Sequence, residues 1–330
     1  MRIAVIGDGG WGTTLAIILS KKGYKVSLWG AFPEYVRFLK EKRENVKFLP
    51  SIPIPKEILI TSRLEEALSG SKVVVLAVPS QFMRSVVSKL EGFDFSDSII
   101  VSVTKGIENK TLKRMSEVIE ELLGEVKLAV LSGPSIAIEV ARGIPTTVVA
   151  ASQGKDISLK IQTIFSTDRF RVYTNEDVIG VELGGALKNI IAIAAGILDG
   201  LGFGTNTKAA LLTRGLVEIT RLGVNMGADM RTFEGLSGMG DMVTTCISPH
   251  GRNRWLGEEI GKGKKLKDII SKTEMVVEGV STTESAYELS KKNKVDMPIT
   301  REIYAVLFRN KDPLLAVNDL MKRKIKSEID

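Results

Sequence analysis

The sequence has 330 residues, which exceeds a typical single domain and favours two domains. A hydrophobic content of 44% with 26% charged residues is typical of a soluble globular protein with ample material for a core. The net charge of +7 would suit nucleic acid, an anionic membrane surface or anionic small molecules. Because no basic stripe is interleaved with aromatic residues, we expect solvated lysines and no nucleic-acid partner.

The cysteine content and the first residues indicate the compartment. Cys246 is the only cysteine, so an intramolecular disulfide is excluded, which fits a reducing environment. Strand-like residues begin at Arg2, so we expect no secretory signal. The apolar stretch from Asn189 to Leu198 is too short to span a bilayer. We therefore predict a cytoplasmic protein without a membrane span.

From residue 1 to about residue 175, short β-branched runs alternate with helix-like stretches. The predicted strands are Ile3–Ile6, Lys25–Trp29, Val73–Val78, Ile99–Val103, Leu128–Leu131, Thr146–Ala150 and Phe170–Tyr173. The predicted helices between them are Thr13–Lys22, Gln81–Leu90, Leu112–Leu123 and Asp156–Phe165. Strands this apolar indicate parallel βαβ units with helices on both faces of the sheet.

A glycine-rich motif follows the first predicted strand. Gly7, Gly9 and Gly12 match the pattern G-x-G-x-x-G, between a strand that ends at Ile6 and a helix that starts at Thr13. The first glycine allows a tight turn, the second lets backbone approach a pyrophosphate, and the third lets the helix pack on the strand. The free N–H groups at the start of the helix attract the negative charge. The motif predicts a bound dinucleotide.

Beyond residue 175 the β pattern ends. The predicted helices there are Val178–Leu198, Thr207–Leu222, Asp229–Leu236, Arg254–Gly261, Thr282–Lys292 and Ile299–Leu307. The predicted fold class is therefore α/β. A Rossmann-like, dinucleotide-binding domain with a parallel sheet over residues 1–178 precedes an all-helical, substrate-binding and catalytic domain over residues 179–330.

The choice of dinucleotide depends on the end of the second strand. An acid there favours NAD by bonding the ribose 2′-hydroxyl, and an arginine favours NADP. The chain has Gly30-Ala31-Phe32, with neither charge, while Arg37 and Lys40 come later. The cofactor is therefore NAD or NADP, and we expect their kcat/KM values to lie within about tenfold of one another.

Charged and polar residues in four further places suggest catalytic or binding roles. Lys105 follows a predicted strand, so it should border the cleft at the carboxyl ends of the strands; an exposed loop lysine is the alternative. Lys188 stands in an apolar helix, where an ammonium is costly unless it meets a polar cavity, so we predict a functional lysine. Asp241 follows a glycine-rich turn and either acts in the site or caps a helix. Arg252 and Asn253 offer donors suited to phosphate.

Metal and triad chemistry are not expected. The only histidine, His250, has no cluster of cysteine, histidine or carboxylate near it in the sequence. Neither a zinc site nor a Ser/His/Asp triad is therefore indicated.

Together these segments resemble the bacterial NAD(P)-dependent glycerol-3-phosphate dehydrogenases. The matching stretches are GDGGWGTTLA, FLPSIPIP, VTKGIE, SGPS, VELGGALKNIIAIAAGI, GLSGMGDMVTTC, GRNR and VVEGVST, which cover nearly the whole chain in the order of the family. The resemblance implies reversible hydride transfer between NAD(P)H and dihydroxyacetone phosphate. The product, sn-glycerol 3-phosphate, serves glycerophospholipid synthesis. We also expect a homodimer.

The resemblance also implies roles for individual residues. Lys188 falls on the catalytic proton donor and acceptor. The substrate positions are Lys105, Gly133, Ser135, Lys188, Asp241, Gly251, Arg252 and Asn253. The cofactor positions are Gly7, Gly9, Gly10, Trp11, Gly12, Lys105, Ala137, Arg252, Val276 and Glu278. The family often has Ser at Gly251 and at Gly10, and a basic residue near Ala31.

Two other functions are compatible with parts of the pattern. A ketopantoate-type or β-hydroxyacid-type reductase shares the two-domain plan, but the Arg252-Asn253 pair and the GLSGMGD segment argue against it. A dinucleotide-sensing regulator would keep the glycine motif and bind DNA with its positive charge. Such a regulator does not need a lysine in an apolar helix.

Overall fold

The computed structural model describes residues 1–325, 327 and 328. The strands are β1 (Arg2–Ile6), β2 (Lys25–Trp29), β3 (Glu44–Asn45), β4 (Leu49–Pro53), β5 (Leu59–Thr61), β6 (Ser71–Leu76), β7 (Ile99–Ser102), β8 (Lys127–Ser132), β9 (Thr146–Ala151) and β10 (Phe170–Asn175).

The helices are α1 (Gly10–Lys21), α2 (Pro33–Lys42), α3 (Leu64–Leu68), α4 (Met83–Val87), α5 (Met115–Leu123), α6 (Ala137–Ala141), α7 (Lys155–Phe165), α8 (Val178–Gly200), α9 (Thr205–Asn225), α10 (Met230–Glu234), α11 (Asp241–Ile247), α12 (Arg252–Gly261), α13 (Leu266–Ile270), α14 (Glu278–Lys292), α15 (Pro298–Arg309) and α16 (Pro313–Met321). Two 3₁₀ turns at Ser80–Phe82 and Ser88–Leu90 and a π-helical turn at Leu236–Gly240 complete the elements.

The predicted α/β fold with a helical second part is confirmed. The main sheet has the order β10-β9-β8-β7-β6-β1-β2-β5, and all seven predicted strands lie in it within two residues of their expected bounds. The edge strand β5 and the small ribbon of β3 and β4 were not predicted. The division of the chain at residues 178 and 179 stays a prediction.

The expectation of a fully parallel sheet is wrong at one edge. Strands β8 and β9 pair antiparallel, with Leu131 opposite Ala150. A parallel crossover needs a helix long enough to return along the face of the sheet. The link between β8 and β9 contains only the five-residue helix α6, which stays beside the start of α1, where the Thr14 hydroxyl donates to the Ala137 carbonyl. The chain therefore re-enters the sheet from its carboxyl end.

The apolar strands are buried on both faces, as the pattern predicts. In β1, Ile3 and Val5 join a core cluster with α1 and α7, while Ala4 and Ile6 join a second cluster with α4 and α5. Alternate side chains of one strand thus reach opposite cores. This burial fixes the register that brings the carboxyl ends of the strands to one edge.

Helix α8 is the centre of the helical part. Its length and composition would allow it to cross a membrane, but 89% of its most apolar window is buried within the protein. Helix α12 packs directly on its backbone: a Cβ on Gly196 would lie 1.9 Å from the Arg254 carbonyl oxygen, and one on Gly257 would lie 2.0 Å from that of Ile193. Glycines therefore bring the start of α12 close to the middle of α8.

Candidate active site

Four elements bring the predicted catalytic lysine together with four other predicted substrate residues. Lys105 follows β7, and Gly133 and Ser135 follow β8, at the carboxyl edge of the sheet. Lys188 lies in the middle of α8, and Asp241 is the first residue of α11. The sheet and the helical part therefore each supply one lysine to the same cluster.

Asp241 bridges the two lysines. Its Oδ1 accepts a hydrogen bond from Lys188 Nζ at 2.7 Å, and its Oδ2 accepts one from Lys105 Nζ at 2.7 Å. The Asp241 side chain is only 1% exposed and that of Lys188 7%. Two ammonium groups around one carboxylate leave a net positive charge in a poorly solvated place, which attracts an anionic or polarised oxygen.

The helix-capping alternative for Asp241 is excluded by these contacts. Helix α11 has no side-chain cap, and both Asp241 carboxylate oxygens accept from lysines. The preceding glycine-rich turn has π-helical geometry. A Cβ on Gly184 of α8 would lie 2.7 Å from the Ser237 carbonyl oxygen, so that glycine allows the π-helical turn to pack on α8. This packing places Asp241 beside Lys188.

The two lysines differ in how many hydrogen bonds they make. Lys105 Nζ donates to Asp241, to the Gly133 carbonyl oxygen at 2.9 Å and to Ser135 Oγ at 3.0 Å. These three acceptors use all the N–H bonds of an ammonium group. Among the described residues, Lys188 Nζ has two acceptors, Asp241 and Thr245. One N–H of Lys188 is therefore left for a further acceptor.

The environment of Lys105 also alters its acidity. Burial is the main cause that lowers the pKa of Lys105 to about 8; the nearby positive charge of Lys188 adds to this shift, and Asp241 opposes it. A nearby positive charge disfavours protonation of a lysine amine. Lys105 therefore holds Asp241 in position, and its charge depends on that of the nearby Lys188.

Thr245 is a site residue that the sequence reasoning missed. Its Oγ1 accepts a hydrogen bond from Lys188 and donates to the Asp241 backbone oxygen at 2.8 Å. Residues four apart share one face of a helix, so the spacing from Asp241 to Thr245 on α11 could have indicated it. A threonine in a helix is common, so its residue type alone does not indicate a function.

The start of α12 holds the residues predicted to contact phosphate. Asn253 Nδ2 donates to Asn189 Oδ1 at 2.9 Å, and Asn253 Oδ1 accepts from the Gly279 N–H at 2.9 Å, so its amide joins α12 to α8 and α14. Arg252 is exposed, and its Nη1 donates to the Val276 carbonyl oxygen at 2.9 Å. Gly251 precedes the helix in extended conformation. The N–H groups of this first turn suit an anion.

The glycine-rich loop fits a dinucleotide. Gly7 has φ +122°, and a Cβ there would lie 2.5 Å from the Ala77 carbonyl oxygen. A Cβ on Gly12 would lie 2.0 Å from the Gly7 carbonyl oxygen, whereas one on Gly9 would meet nothing within 4 Å. Gly7 and Gly12 therefore allow close packing, and Gly9 faces the open space in front of α1. No acid lies in the first turn of α1 to oppose a pyrophosphate.

The other predicted cofactor residues lie on α1, on α6 and at the start of α14. Gly10 begins α1, and Trp11 packs against Phe170, with Nε1 buried and without a hydrogen-bond partner among the described residues. Ala137 lies at the start of α6 beside α1. Glu278 accepts from the Ser80 N–H at 2.9 Å and from Ser80 Oγ at 2.5 Å, which ties α14 to the end of β6.

Comparison with known proteins assigns the chain to a family. The model described as NAD-dependent glycerol-3-phosphate dehydrogenase N-terminus matches residues 2–158, and that of the C-terminus of the same family matches residues 177–318. The chain belongs to this family. Of the two enzyme classes compatible with the sequence pattern, these models favour glycerol-3-phosphate dehydrogenase over ketopantoate-type reductase.

Individual relatives agree along the full length. A glycerol-3-phosphate dehydrogenase [NAD(P)+] of Chlorobium phaeobacteroides is 52% identical over 332 residues, with 100% of this chain and 99% of the relative covered. The crystal structure of glycerol-3-phosphate dehydrogenase from Coxiella burnetii has a TM-score of 0.95 at 38% identity, covering 98% of this chain and 99% of that one. A structure of the Saccharomyces cerevisiae glycerol-3-phosphate dehydrogenase has a TM-score of 0.83 at 27% identity and covers 98% and 99%.

Proposed function

We propose that this protein catalyses the reversible reduction of dihydroxyacetone phosphate to sn-glycerol 3-phosphate, as a member of its family. The observation that supports this most directly is the Lys188 ammonium, which is held by Asp241 and Thr245 with one N–H left over. A buried, oriented ammonium is suited to giving a proton to a carbonyl oxygen. NADH or NADPH, when bound, supplies the hydride that reaches the carbonyl carbon.

Lys188 acts on the oxygen of the reacting carbonyl. In the reducing direction, negative charge develops on this oxygen, and the Lys188 ammonium stabilises it and transfers a proton to it. In the oxidising direction, neutral Lys188 accepts the hydroxyl proton. Asp241 keeps the lysine in place in both directions, and Lys105 holds Asp241 from the other side.

The start of α12 would hold the phosphate of the substrate. Arg252 is exposed there, and the N–H groups of the first helical turn are oriented toward the same end. A forked guanidinium and a helix N-terminus are both suited to a phosphate dianion. Gly133, Ser135 and Gly251 would complete the substrate contacts. Their roles are part of the proposal.

The dinucleotide would bind at the glycine-rich loop. Gly7, Gly9, Gly10, Trp11 and Gly12 form the turn and the first residues of α1. The remaining cofactor positions in the proposal are Lys105, Ala137, Arg252, Val276 and Glu278. We further propose that the protein works as a homodimer in the cytoplasm and supplies glycerophospholipid synthesis.

A spectrophotometric assay tests the reaction. Oxidation of NADH and of NADPH is followed with dihydroxyacetone phosphate, with dihydroxyacetone and with ketopantoate. We expect turnover with the phosphate ester, and a large loss of kcat/KM with dihydroxyacetone, because the α12 contacts to phosphate are missing. Turnover with ketopantoate but not with dihydroxyacetone phosphate would refute the proposal. Size-exclusion chromatography with light scattering tests the homodimer.

A further inference from the structure

The glycine-rich loop contains one carboxylate, that of Asp8, and one of its oxygens has no hydrogen-bond partner among the described residues. Asp8 lies between Gly7 and Gly9, and its Oδ2 is buried and makes no hydrogen bond among the described residues. An unpaired buried oxygen of this kind is costly, so it is rarely kept without a use. The sequence pattern G-x-G-x-x-G leaves this position free, so nothing in the motif itself requires an acid.

The Asp8 carboxylate lies against the end of β2. A Cβ built on Gly30 would be 2.2 Å from Asp8 Oδ2 and 2.7 Å from Asp8 Cγ. Gly30 directly follows β2, which is where an NAD-specific loop usually carries the acid that bonds the ribose 2′-hydroxyl. In this chain the first loop, and not the second strand, brings a carboxylate to that place.

The Asp8 carboxylate is negatively charged at about pH 8, the pH used in the binding experiment below. Burial raises the pKa of Asp8 to about 6, and the attraction of Lys47 opposes that rise. Lys47 is itself paired with the exposed Glu274 at 2.5 Å. Asp8 is therefore ionised at about pH 8.

We propose that Asp8 is the residue that selects NADH over NADPH in this protein. Its buried carboxylate lies beside the end of β2, where its negative charge would repel a phosphate placed on the ribose 2′-oxygen. Like charges that meet in a poorly solvated site strongly disfavour binding. The expectation of near-equal use considered residues 30–32 with the later Arg37 and Lys40, and so left out this charge. The inference rests on the proposed function for the identity of the two ligands.

Equilibrium binding tests the proposal without any substrate. The dissociation constants of NADH and NADPH are measured by fluorescence titration at about pH 8 for the parent protein, Asp8→Asn and Asp8→Ala. Glu41→Gln is the matched control, because it removes one exposed carboxylate near the other end of α2. Arg37→Ala tests the opposite hypothesis, that a cation on α2 binds the 2′-phosphate.

We expect the parent protein to bind NADH at least about tenfold more tightly than NADPH. Both Asp8 variants should reduce this ratio to about threefold or less, mainly by tightening NADPH, and Glu41→Gln should leave it unchanged. A parent ratio near one, an unchanged ratio in the Asp8 variants, or a preference for NADPH that Arg37→Ala removes would overturn the proposal. Failure to reduce dihydroxyacetone phosphate, with the binding ratios as expected, would refute only the proposed function.

Discussion

Replacing Asp8 with asparagine should stabilise the protein at neutral pH and have less effect in acid. Burial raises the pKa of Asp8 from its ordinary value of 3.8 to about 6. This rise corresponds to roughly 3 kcal/mol of unfolding free energy, because each tenfold change in proton affinity is worth about 1.4 kcal/mol. The unbonded Oδ2 is the physical origin of the cost.

The free energy of unfolding of the parent protein should fall as the pH rises, because the pKa of Asp8 is higher in the folded than in the unfolded state. Between about pH 4 and pH 6 the folded protein binds a proton at Asp8 that the unfolded chain has already lost. The stability contributed by this proton is complete below about pH 4 and is lost as the pH rises through about 6. The asparagine side chain of the variant does not titrate, so the stability difference between variant and parent should grow by up to about 3 kcal/mol from pH 4 to pH 7.5.

Urea unfolding measures this difference, with tryptophan fluorescence and far-ultraviolet circular dichroism as two probes that must give the same midpoint. Each pH value is measured for the parent, Asp8→Asn and Glu41→Gln. Glu41 is exposed, so its variant should show a difference that does not change with pH. If the difference in unfolding free energy between Asp8→Asn and the parent is equally independent of pH, the argument that burial destabilises the Asp8 carboxylate is refuted.

Three further substitutions test the site and its support. Lys188→Ala should keep cofactor binding and lower kcat by about 10²–10⁴, measured by steady-state kinetics; a loss of only a few-fold would exclude it as the proton donor. Arg252→Lys should raise KM for dihydroxyacetone phosphate, because an ammonium does not replace the forked guanidinium. Unchanged KM values would place the phosphate elsewhere. Gly257→Ala should destabilise the fold by about 3 kcal/mol or more in urea unfolding, since its Cβ would clash with the Ile193 carbonyl, while Gly204→Ala should cost far less.

The parts of the site that the sequence predicts are those in which a residue violates its local pattern. Lys188 is a charge in an apolar helix, and Gly7 and Gly9 are costly residues clustered after a strand. Such residues are conspicuous because their cost can be judged from neighbours in the chain. Thr245 is an ordinary residue in an ordinary helix, and only its contact with Lys188 gives it a role.

Features that depend on contacts between distant segments could not be predicted in this way. The antiparallel pairing of β8 with β9 depends on where the short helix α6 lies, and the apolar pattern of these strands is the same as that of the parallel ones. The π-helical turn before Asp241 depends on packing against Gly184, while its own glycines indicate a loop. The position of the Asp8 carboxylate depends on the lateral pairing of β1 with β2, which sets Gly30 beside the loop.

The charges along the cleft differ in sign between the places proposed for the phosphates of the cofactor and the substrate and the place beside the end of β2. The two places expected to receive a pyrophosphate and a substrate phosphate are the first turns of α1 and α12, where backbone N–H groups are available. The lysine cluster around Asp241 is also positive. Asp8 places a negative charge beside the end of β2, near the place proposed for the 2′-phosphate of NADPH. Removing that charge should therefore change the ratio of NADH to NADPH binding and leave KM for dihydroxyacetone phosphate unaltered. A parallel change in that KM would show that the charge acts on the whole cleft and not on the ribose alone.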